Sequence, residues 1–164
     1  MTTSRKASLH SFADRLGRFF EDNGLPRMAG RLMGHLLTCD PPEQTFDDLV
    51  EALGASRSTV SVATRQLLRL DLVERFGVPG ERRDRYRLRD DAWTMLLRQD
   101  MSAATQLRLL AEDGLRLVET QPPDGQERLR TMKEFYAFLE EAYAPILDEW
   151  DRRRSRTGPR LRLP

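Results

Sequence analysis

The chain has 164 residues, 39% of them hydrophobic and 32% charged, which suffices for one domain with a real core but not for two large domains. Its single cysteine, Cys39, excludes an intramolecular disulfide framework, and no stretch approaches the roughly 20 uninterrupted apolar residues of a membrane-spanning helix. Since the first residues also lack the apolar core of a signal peptide, we expect a soluble, cytoplasmic protein.

The formal net charge of only +1 hides a strong segregation of charge along the chain. Residues 57–89 carry nine basic and four acidic side chains, whereas residues 90–151 carry six basic and 14 acidic ones. Residues 1–56 are slightly acidic, and residues 152–164 contain six arginines and no acid. Residues 57–89 therefore form a basic island between acidic flanks, which is where a polyanion would bind.

Two amphipathic helices are predicted before residue 40. Apolar residues recur at helical spacing over residues 9–20, and a second helix follows Pro26, whose missing N–H costs least at a helix start. Gly30 and Gly34 of this second helix lie four residues apart. We expect these two glycines to let another helix pack closely, in a soluble protein and not in a membrane.

A short third helix is predicted between Thr45 and Gly54. Thr45 is placed to cap the helix and Asp48 to complete a capping box, while Gly54 provides the conformational freedom that a tight stop requires. The apolar residues follow the i, i+3, i+4, i+7 spacing of one buried helix face: Phe46, Leu49, Val50 and Leu53.

The fourth predicted helix has one apolar face and one polar, basic face. The apolar face consists of Val60, Ala63, Leu67 and Leu70, and the opposite face of Ser58, Ser61, Val62, Arg65 and Arg69. Short hydroxyl side chains let a helix approach base edges, arginine can donate two hydrogen bonds to guanine, and valine fits a thymine methyl. The alternative is that the serines are ordinary solvated residues, because hydroxyls are common in the first turn of a helix.

Two short strands with a basic turn follow this helix. The strands are predicted at residues 72–78 and 85–89, and Pro79-Gly80 marks the turn between them. The turn brings together Arg82, Arg83 and Arg85, whose guanidinium groups suit phosphate contacts and insertion into a narrow minor groove. A basic hairpin next to a polar, basic helix predicts a winged helix-turn-helix that binds DNA.

The order of these motifs resembles the MarR superfamily of bacterial regulators, and within it the GbsR-like branch. The similar segments are Gly-Leu-Pro-Arg-Met-Ala-Gly-Arg (24–31), Cys-Asp-Pro-Pro-Glu-Gln (39–44), Gly-Ala-Ser-Arg-Ser-Thr-Val-Ser (54–61), Leu-Val-Glu-Arg (72–75) and Pro-Gly-Glu-Arg-Arg-Asp-Arg-Tyr-Arg-Leu (79–88). The resemblance covers most of residues 8–150 and is most specific between residues 54 and 93.

The resemblance implies roles that the residue pattern alone does not. In the superfamily the wing usually carries an acid, any residue and then arginine, so Arg83 would be the minor-groove arginine and Glu81 its orienting partner. The resemblance also implies dimerisation through the N- and C-terminal helices. For the GbsR-like branch it implies quaternary amines such as choline as effectors, which an aromatic cage would bind. Aromatic residues at helical spacing are more often core than cage, so no effector site is assigned.

The last two helices are predicted after Asp91, and the segment 122–125 separates them. The final helix carries apolar residues that alternate three and four positions apart, as in a coiled-coil seam. We expect a homodimer interface formed by Leu129, Met132, Tyr136, Leu139, Tyr143 and Ile146. The alternative is that this stripe packs on its own domain. Pro145 is expected to kink or interrupt the helix, and residues 152–164 to form a flexible basic tail.

The sequence offers little for catalysis or metal binding. His10 and His35 fall in separate helices, no histidine is adjacent to Cys39, and no Cys/His spacing suits zinc. We therefore expect neither enzymatic activity nor a cofactor nor a metal site. Some MarR-type regulators use cysteine as a redox sensor, but a partly buried structural thiol is the simpler interpretation of Cys39.

These observations predict a mainly α protein: a winged helix-turn-helix with a small β-hairpin wing and long N- and C-terminal dimerisation helices. The expected segments are a dimerisation helix (1–24), the winged domain (25–91), further dimerisation helices (92–151) and the tail (152–164). The expected function is a homodimeric transcriptional regulator of double-stranded DNA, open to a small-molecule effector, and the alternative is a winged-helix module that binds a protein. The predicted DNA contacts are Ser56, Arg57, Ser58, Ser61, Val62, Arg65, Arg82, Arg83 and Arg85.

Overall fold

Six helices and three short strands make up residues 3–157, the part of the chain that the computed structural model describes, with side chains described for residues 5–156. The elements are α1 (Thr3–Asp22), α2 (Arg27–Leu36), β1 (Gln44–Thr45), α3 (Phe46–Leu53), α4 (Arg57–Arg69), β2 (Val73–Gly77), β3 (Asp84–Leu88), α5 (Ala92–Leu117) and α6 (Pro123–Thr157). The chain divides into two compact units, with the boundary between Met95 and Leu96. The predicted mainly helical, winged architecture is confirmed.

Helices α1 and α2 pack closely because glycine lies at their contact. A Cβ atom built on Gly34 would lie 2.7 Å from the Cα atom of Ala13, and one built on Gly30 would lie 2.8 Å from the Cα atom of Gly17. Any larger residue at these positions would force the two helices apart. The close approach predicted from the spacing of the two glycines is confirmed, and α1 is the helix that uses it.

The two helices of the helix-turn-helix begin and end as the sequence predicts. Thr45 Oγ1 accepts a hydrogen bond from the backbone N–H of Asp48, and the Asp48 carboxylate accepts one from the backbone N–H of Thr45, so the capping box at the start of α3 is complete. Gly54 ends the helix in the left-handed conformation with φ 58°. The core beneath these helices contains six fully buried large side chains: Leu32, Met33, Leu49, Val60, Leu67 and Leu72.

A three-stranded antiparallel sheet with the order β1-β3-β2 holds the wing to this module. Arg75 of β2 pairs with Tyr86 of β3, which in turn pairs with Gln44 of β1. The two-residue strand β1 is absent from the prediction because so short a segment has no periodicity of its own. Its pairing joins the start of α3 directly to the wing, and the wing therefore has a fixed position relative to the helix-turn-helix.

The second unit contains most of α5 and all of α6. Arg98 pairs with Asp151 at 3.1 Å and Arg108 with Glu140 at 3.0 Å. A later residue of α5 thus contacts an earlier residue of α6. The two helices are therefore antiparallel. A Cβ atom built on Gly114 of α5 would lie 3.0 Å from the side chain of Leu129, which shows that the helices also touch near the turn.

Two expectations for the end of the chain are corrected. Helix α6 continues past Pro145, so an interruption at this residue is wrong; proline removes only one backbone hydrogen bond from a helix that is long on both sides. The helix also includes Arg152 and Arg153, which were expected in a flexible tail. Both arginines pair with Glu149, at 3.1 and 2.7 Å, and such pairs one turn apart stabilise a helix end. Residues 158–164 of the predicted tail lie outside the described residues.

Candidate nucleic-acid interface

The start of α4 is fixed by Ser56, as predicted. Its hydroxyl oxygen accepts a hydrogen bond from the backbone N–H of Thr59 at 3.2 Å, which caps the helix. The same hydroxyl lies 2.9 Å from the hydroxyl of Ser58 and 2.8 Å from that of Thr59. The first turn of α4 therefore presents a cluster of three hydroxyl groups, and all three residues are exposed.

The outward face of α4 has the composition that the helical projection predicts. Val62 is 54% exposed although it is apolar, and Arg65 and Arg69 are exposed further along the helix. Ser61 is half-buried, and its backbone carbonyl accepts a hydrogen bond of 3.3 Å from Arg65 Nε. The Arg65 side chain thus lies back along its own helix, and its two Nη groups take no part in this contact.

Arg57, the first residue of α4, is held from two sides. Its guanidinium group lies 5.0 Å from the centre of the Phe46 ring, within the range of a cation–π interaction. Its Nη1 atom donates a hydrogen bond of 2.5 Å to Oδ1 of Asp47. Both partners belong to the start of α3, so Arg57 is positioned by the neighbouring helix and not by α4 itself.

The three arginines predicted at the wing tip have different environments. Arg85 donates two hydrogen bonds to the carboxylate of Glu81, whereas Arg83 Nη1 lies 3.1 Å from Oδ2 of Asp47. Arg82 is exposed and forms no hydrogen bond or ion pair with any residue between 3 and 157. The three side chains thus share one end of the hairpin, but only Arg82 is left with its full charge unopposed.

The orienting role that the family resemblance implies for Glu81 is corrected. Glu81 pairs with Arg85 and not with Arg83, whose guanidinium group lies against Asp47 instead. The hydrogen bond from Arg85 lowers the pKa of the Glu81 carboxyl, which therefore stays ionised. Arg83 instead receives its carboxylate from α3, which lies outside the wing.

Arg87, a further arginine of the wing, makes its contacts within the base of the hairpin. Arg87 of β3 stacks 4.9 Å from the centre of the Phe76 ring, pairs with Glu74 on the neighbouring strand and lies 3.7 Å from the carboxylate of Glu43. Arg87 therefore belongs to the hairpin itself, and part of the basic charge counted for residues 57–89 is internally compensated. The exposed positive charge is correspondingly concentrated on α4 and the tip.

Asp47 is a functional candidate absent from the predicted site. It lies between Arg57 and Arg83, and its pKa is lowered first by the hydrogen bond from Arg57 and further by the charges of both arginines. One signal in the sequence points to it: α3 starts with two acids, and the capping box uses only Asp48. The second acid takes no part in the cap, and its arginine partners are visible only in the folded chain.

The predicted dimer residues lie on α6 with unequal exposure. Leu129, Met132, Tyr136, Leu139 and Tyr143 are half-buried, while Ile146 is 53% exposed. Phe135, Phe138 and Trp150 belong to the apolar stripe that the sequence predicts on this helix, although they are not among the six assigned interface residues. These large side chains are also exposed; Phe138 reaches 63%. The broadest uncovered apolar surface of α6 thus consists of Phe135, Phe138, Ile146 and Trp150, which we call the α6 apolar face.

Cys39 lies beside a cavity in the first unit of the chain. Burial raises the pKa of the Cys39 thiol to about 11, so the thiol stays protonated at neutral pH, in agreement with a structural role. A cavity of about 510 Å³ between α1, α2 and α3 is lined by Leu9, His10, Ala13, His35, Cys39 and Leu53, among others. Among residues 3–157 there is no cluster of side chains that could hold a metal ion and no helix apolar enough to cross a membrane.

Known proteins are similar to this chain in sequence and in fold. The model of the MmpR5-like MarR family transcriptional regulators matches residues 91–153. The HTH-type transcriptional regulator MmpR5 of Mycobacterium tuberculosis is 37% identical over 142 residues, which cover 87% of this chain and 86% of that protein. A crystal structure of a transcriptional regulator is 36% identical, covers 88% of this chain and 99% of its own, and superimposes with a TM-score of 0.78.

The similarity extends over both units of the chain, because each match covers most of the relative's length and most of this chain. It includes the winged module, with the helix α4 that Ser56 caps and the basic hairpin. The chain is therefore a winged helix-turn-helix transcriptional regulator of the MarR family.

Proposed function

We propose that this regulator binds a specific, pseudo-palindromic DNA operator as a homodimer. The observation that carries the proposal is the shared surface of α4 and the wing. The exposed hydroxyls of the first turn, the outward Val62 and the arginines of both elements lie in one compact unit. A protein-docking surface would more often carry an exposed aromatic anchor, and α4 contains no aromatic residue.

Side-chain chemistry determines which DNA contacts we assign to α4 and which to the wing. Helix α4 enters the major groove, where Ser58, Ser61 and Arg65 contact base edges and Val62 meets a thymine methyl. Arg57 positions or reads a base at the helix start. The arginines of the wing contact phosphates or the adjacent minor groove, where the negative potential is enhanced. Phosphate contacts supply affinity for every sequence, whereas base contacts supply preference.

The homodimer is proposed from the α6 apolar face together with the predicted stripe of α6. Monomeric proteins seldom leave several large apolar side chains uncovered along one helix. A second copy of the chain covers this face and places two recognition helices on one duplex. The half-sites are then separated by about one helical turn, roughly 34 Å. Sedimentation at micromolar concentration tests this step, since a monomer there contradicts it.

We also propose that the protein belongs to the GbsR-like branch of the family and that a small molecule regulates it. The cavity between α1, α2 and α3 is large enough for a small effector, since ligand sites commonly have volumes of about 300–1,000 Å³. It lies beside α3, so an occupant would act on the helix that positions α4. A regulator that acts on chromosomal DNA works in the cytoplasm, and we place this protein there.

Selection of bound duplexes from a random pool tests the proposed function. We expect an enriched motif with two inverted half-sites whose centres lie about one helical turn apart. Binding that depends on salt but enriches no motif would contradict sequence-specific recognition. Failure to bind any duplex at low salt would favour the protein-interaction module instead.

A further inference from the structure

One carboxylate joins the recognition helix to the wing. Asp47 Oδ1 accepts a hydrogen bond of 2.5 Å from Arg57 Nη1, and Asp47 Oδ2 lies 3.1 Å from Arg83 Nη1. Asp47 itself belongs to neither element, because it lies in the first turn of α3. The spacing between two arginines that face DNA is therefore set by a third residue.

The bridge contributes little to the stability of the fold. The side chains of Arg57, Arg83 and Asp47 are 66%, 70% and 45% exposed, and ion pairs at such exposure are screened by solvent. The helix cap does not need Asp47 either, since Asp48 fulfils that role. A carboxylate that the cap does not use, placed between two arginines of the binding surface, calls for an explanation in terms of binding.

The carboxylate has opposite effects on the two kinds of DNA complex. It offsets part of the positive charge of the two arginines, which lowers the attraction for any phosphate backbone. It also orders two long side chains before binding, which reduces the conformational entropy lost when they contact a matching site. Non-specific DNA experiences only the first effect, whereas a matching operator also benefits from the second.

We propose that Asp47 is a specificity-determining residue, which holds Arg57 and Arg83 at the operator's spacing and suppresses binding to DNA of other sequences. The inference rests on the proposed function, because it assigns a role within the same interface. Asp47 acts through the two arginines and contacts no base in this mechanism. Its removal therefore lowers the ratio of specific to non-specific affinity and does not abolish binding.

The test compares wild-type protein with Asp47→Asn on two duplexes, one selected from a random pool by the wild type and one of random sequence. Loss of the carboxylate adds about one net positive charge at the interface, so affinity for random DNA should rise about threefold to tenfold near 0.1 M salt, and its salt slope should steepen by about 0.9. On the selected duplex the loss of ordering offsets the added attraction, so affinity there should not rise, and the ratio of specific to non-specific affinity should fall about threefold to tenfold.

Two further variants separate the bridge from net charge. Glu51→Gln makes the same change of charge on the same helix, and Glu51 is exposed and forms no ion pair with residues 3–157, so the affinity ratio should stay within twofold of wild type. Asp47→Glu keeps the charge and can still reach both arginines, so it should retain most of the ratio. Because Asp47→Asn is expected to bind random DNA more tightly than the wild type, misfolding of that variant would not reproduce the expected result.

The outcomes distinguish this inference from the proposed function. A wild-type protein that selects an operator, together with an Asp47→Asn variant whose affinity ratio is unchanged, overturns the role of Asp47 and leaves the proposed function intact. An equal effect of Glu51→Gln also overturns it, because net charge then explains the result. A wild-type protein that binds no duplex overturns the proposed function and this inference with it.

Discussion

Glu81 and Arg85 form a two-point ion pair across the tip of the wing. Arg85 Nε donates to one carboxylate oxygen at 2.9 Å and Arg85 Nη2 to the other at 2.8 Å. The pair has the fork geometry that fixes a guanidinium plane, and it raises the pKa of Arg85 while it lowers that of Glu81. Arg85 is thus held by Glu81 within the hairpin, whereas Arg82 is the tip arginine with no partner among the described residues.

This difference predicts that Arg82→Ala weakens binding to all duplexes alike. Arg82 is free to contact a phosphate, and each such contact contributes about 0.9 to the slope of log K against log salt. We expect the slope to flatten by about that amount and the preferred sequence to remain the same. Binding isotherms at four salt concentrations, on selected and random duplexes, measure both quantities.

Arg130→Ala is the matched control for Arg82→Ala. Arg130 is exposed on α6 and its side chain donates only to Gln126 on the same helix, so its removal changes net charge equally without touching the winged module. A slope that flattens as much in this control as in Arg82→Ala would show that the effect comes from overall charge.

Arg65→Ala should instead change sequence preference. Arg65 lies on the outward face of α4, and only a weak contact to the Ser61 carbonyl holds it in the free protein. A base-reading arginine contributes roughly 1–3 kcal/mol of discrimination at its own base pair. Selection with the variant should therefore yield the wild-type motif with one position relaxed in each half-site. An unchanged motif with uniformly weaker binding would assign Arg65 to the phosphate backbone.

The contact between α1 and α2 predicts a large effect of a small substitution. In Gly34→Ala the new methyl group would lie 2.7 Å from the Cα atom of Ala13, so the helices must separate. Overpacking of this kind costs about 1–3 kcal/mol of unfolding free energy. Gly77→Ala is the control, because a Cβ atom there meets nothing within 4 Å. Urea denaturation measures the unfolding free energy of both variants, and equal values would refute the close packing.

His35 predicts a loss of stability at mildly acidic pH. Burial lowers its pKa below the usual 6.5, and the hydrogen bond between His35 Nε2 and Gln44 Oε1, at 3.3 Å, offsets this only in part. Below pH 6.5 the unfolded chain therefore binds more protons than the folded one, so the unfolding free energy falls as the pH is lowered.

His35→Gln should reduce this pH dependence, since an amide does not titrate and can still donate to Gln44. The measurement is the unfolding free energy of both proteins at about pH 7.5 and about pH 5.5, a window above the range in which most carboxylates titrate. A wild-type difference that persists unchanged in the variant would place the responsible group elsewhere.

Local signals in the sequence predicted most of the fold. The Thr45 and Asp48 cap, the stop at Gly54 and the four-residue spacing of Gly30 and Gly34 each act within one or two helical turns, where spacing alone defines the geometry. The strand β1 could not be predicted in this way, because two residues become a strand only when β3 lies beside them. The helical extension to Thr157 depends similarly on pairs formed with Glu149.

The candidate site was predictable in composition but not in its internal pairing. Helical projection placed Val62 and Arg65 outwards, and the turn placed three arginines at the wing tip. The carboxylate that meets Arg83 lies 36 positions earlier, on Asp47, and no periodic pattern connects residues so far apart. The sequence also could not predict which apolar residues of α6 stay exposed, since their exposure depends on which side of α6 packs on α5.

Protection of guanine N7 from methylation tests the central claim most directly, because N7 lies in the major groove where α4 is proposed to bind. With a selected duplex, the proposed interface predicts two clusters of protected guanines about one helical turn apart, and Arg65→Ala should lose protection at one guanine in each cluster. A stable complex in which every guanine N7 of the bound sequence remains open to methylation would contradict recognition of the major groove by α4.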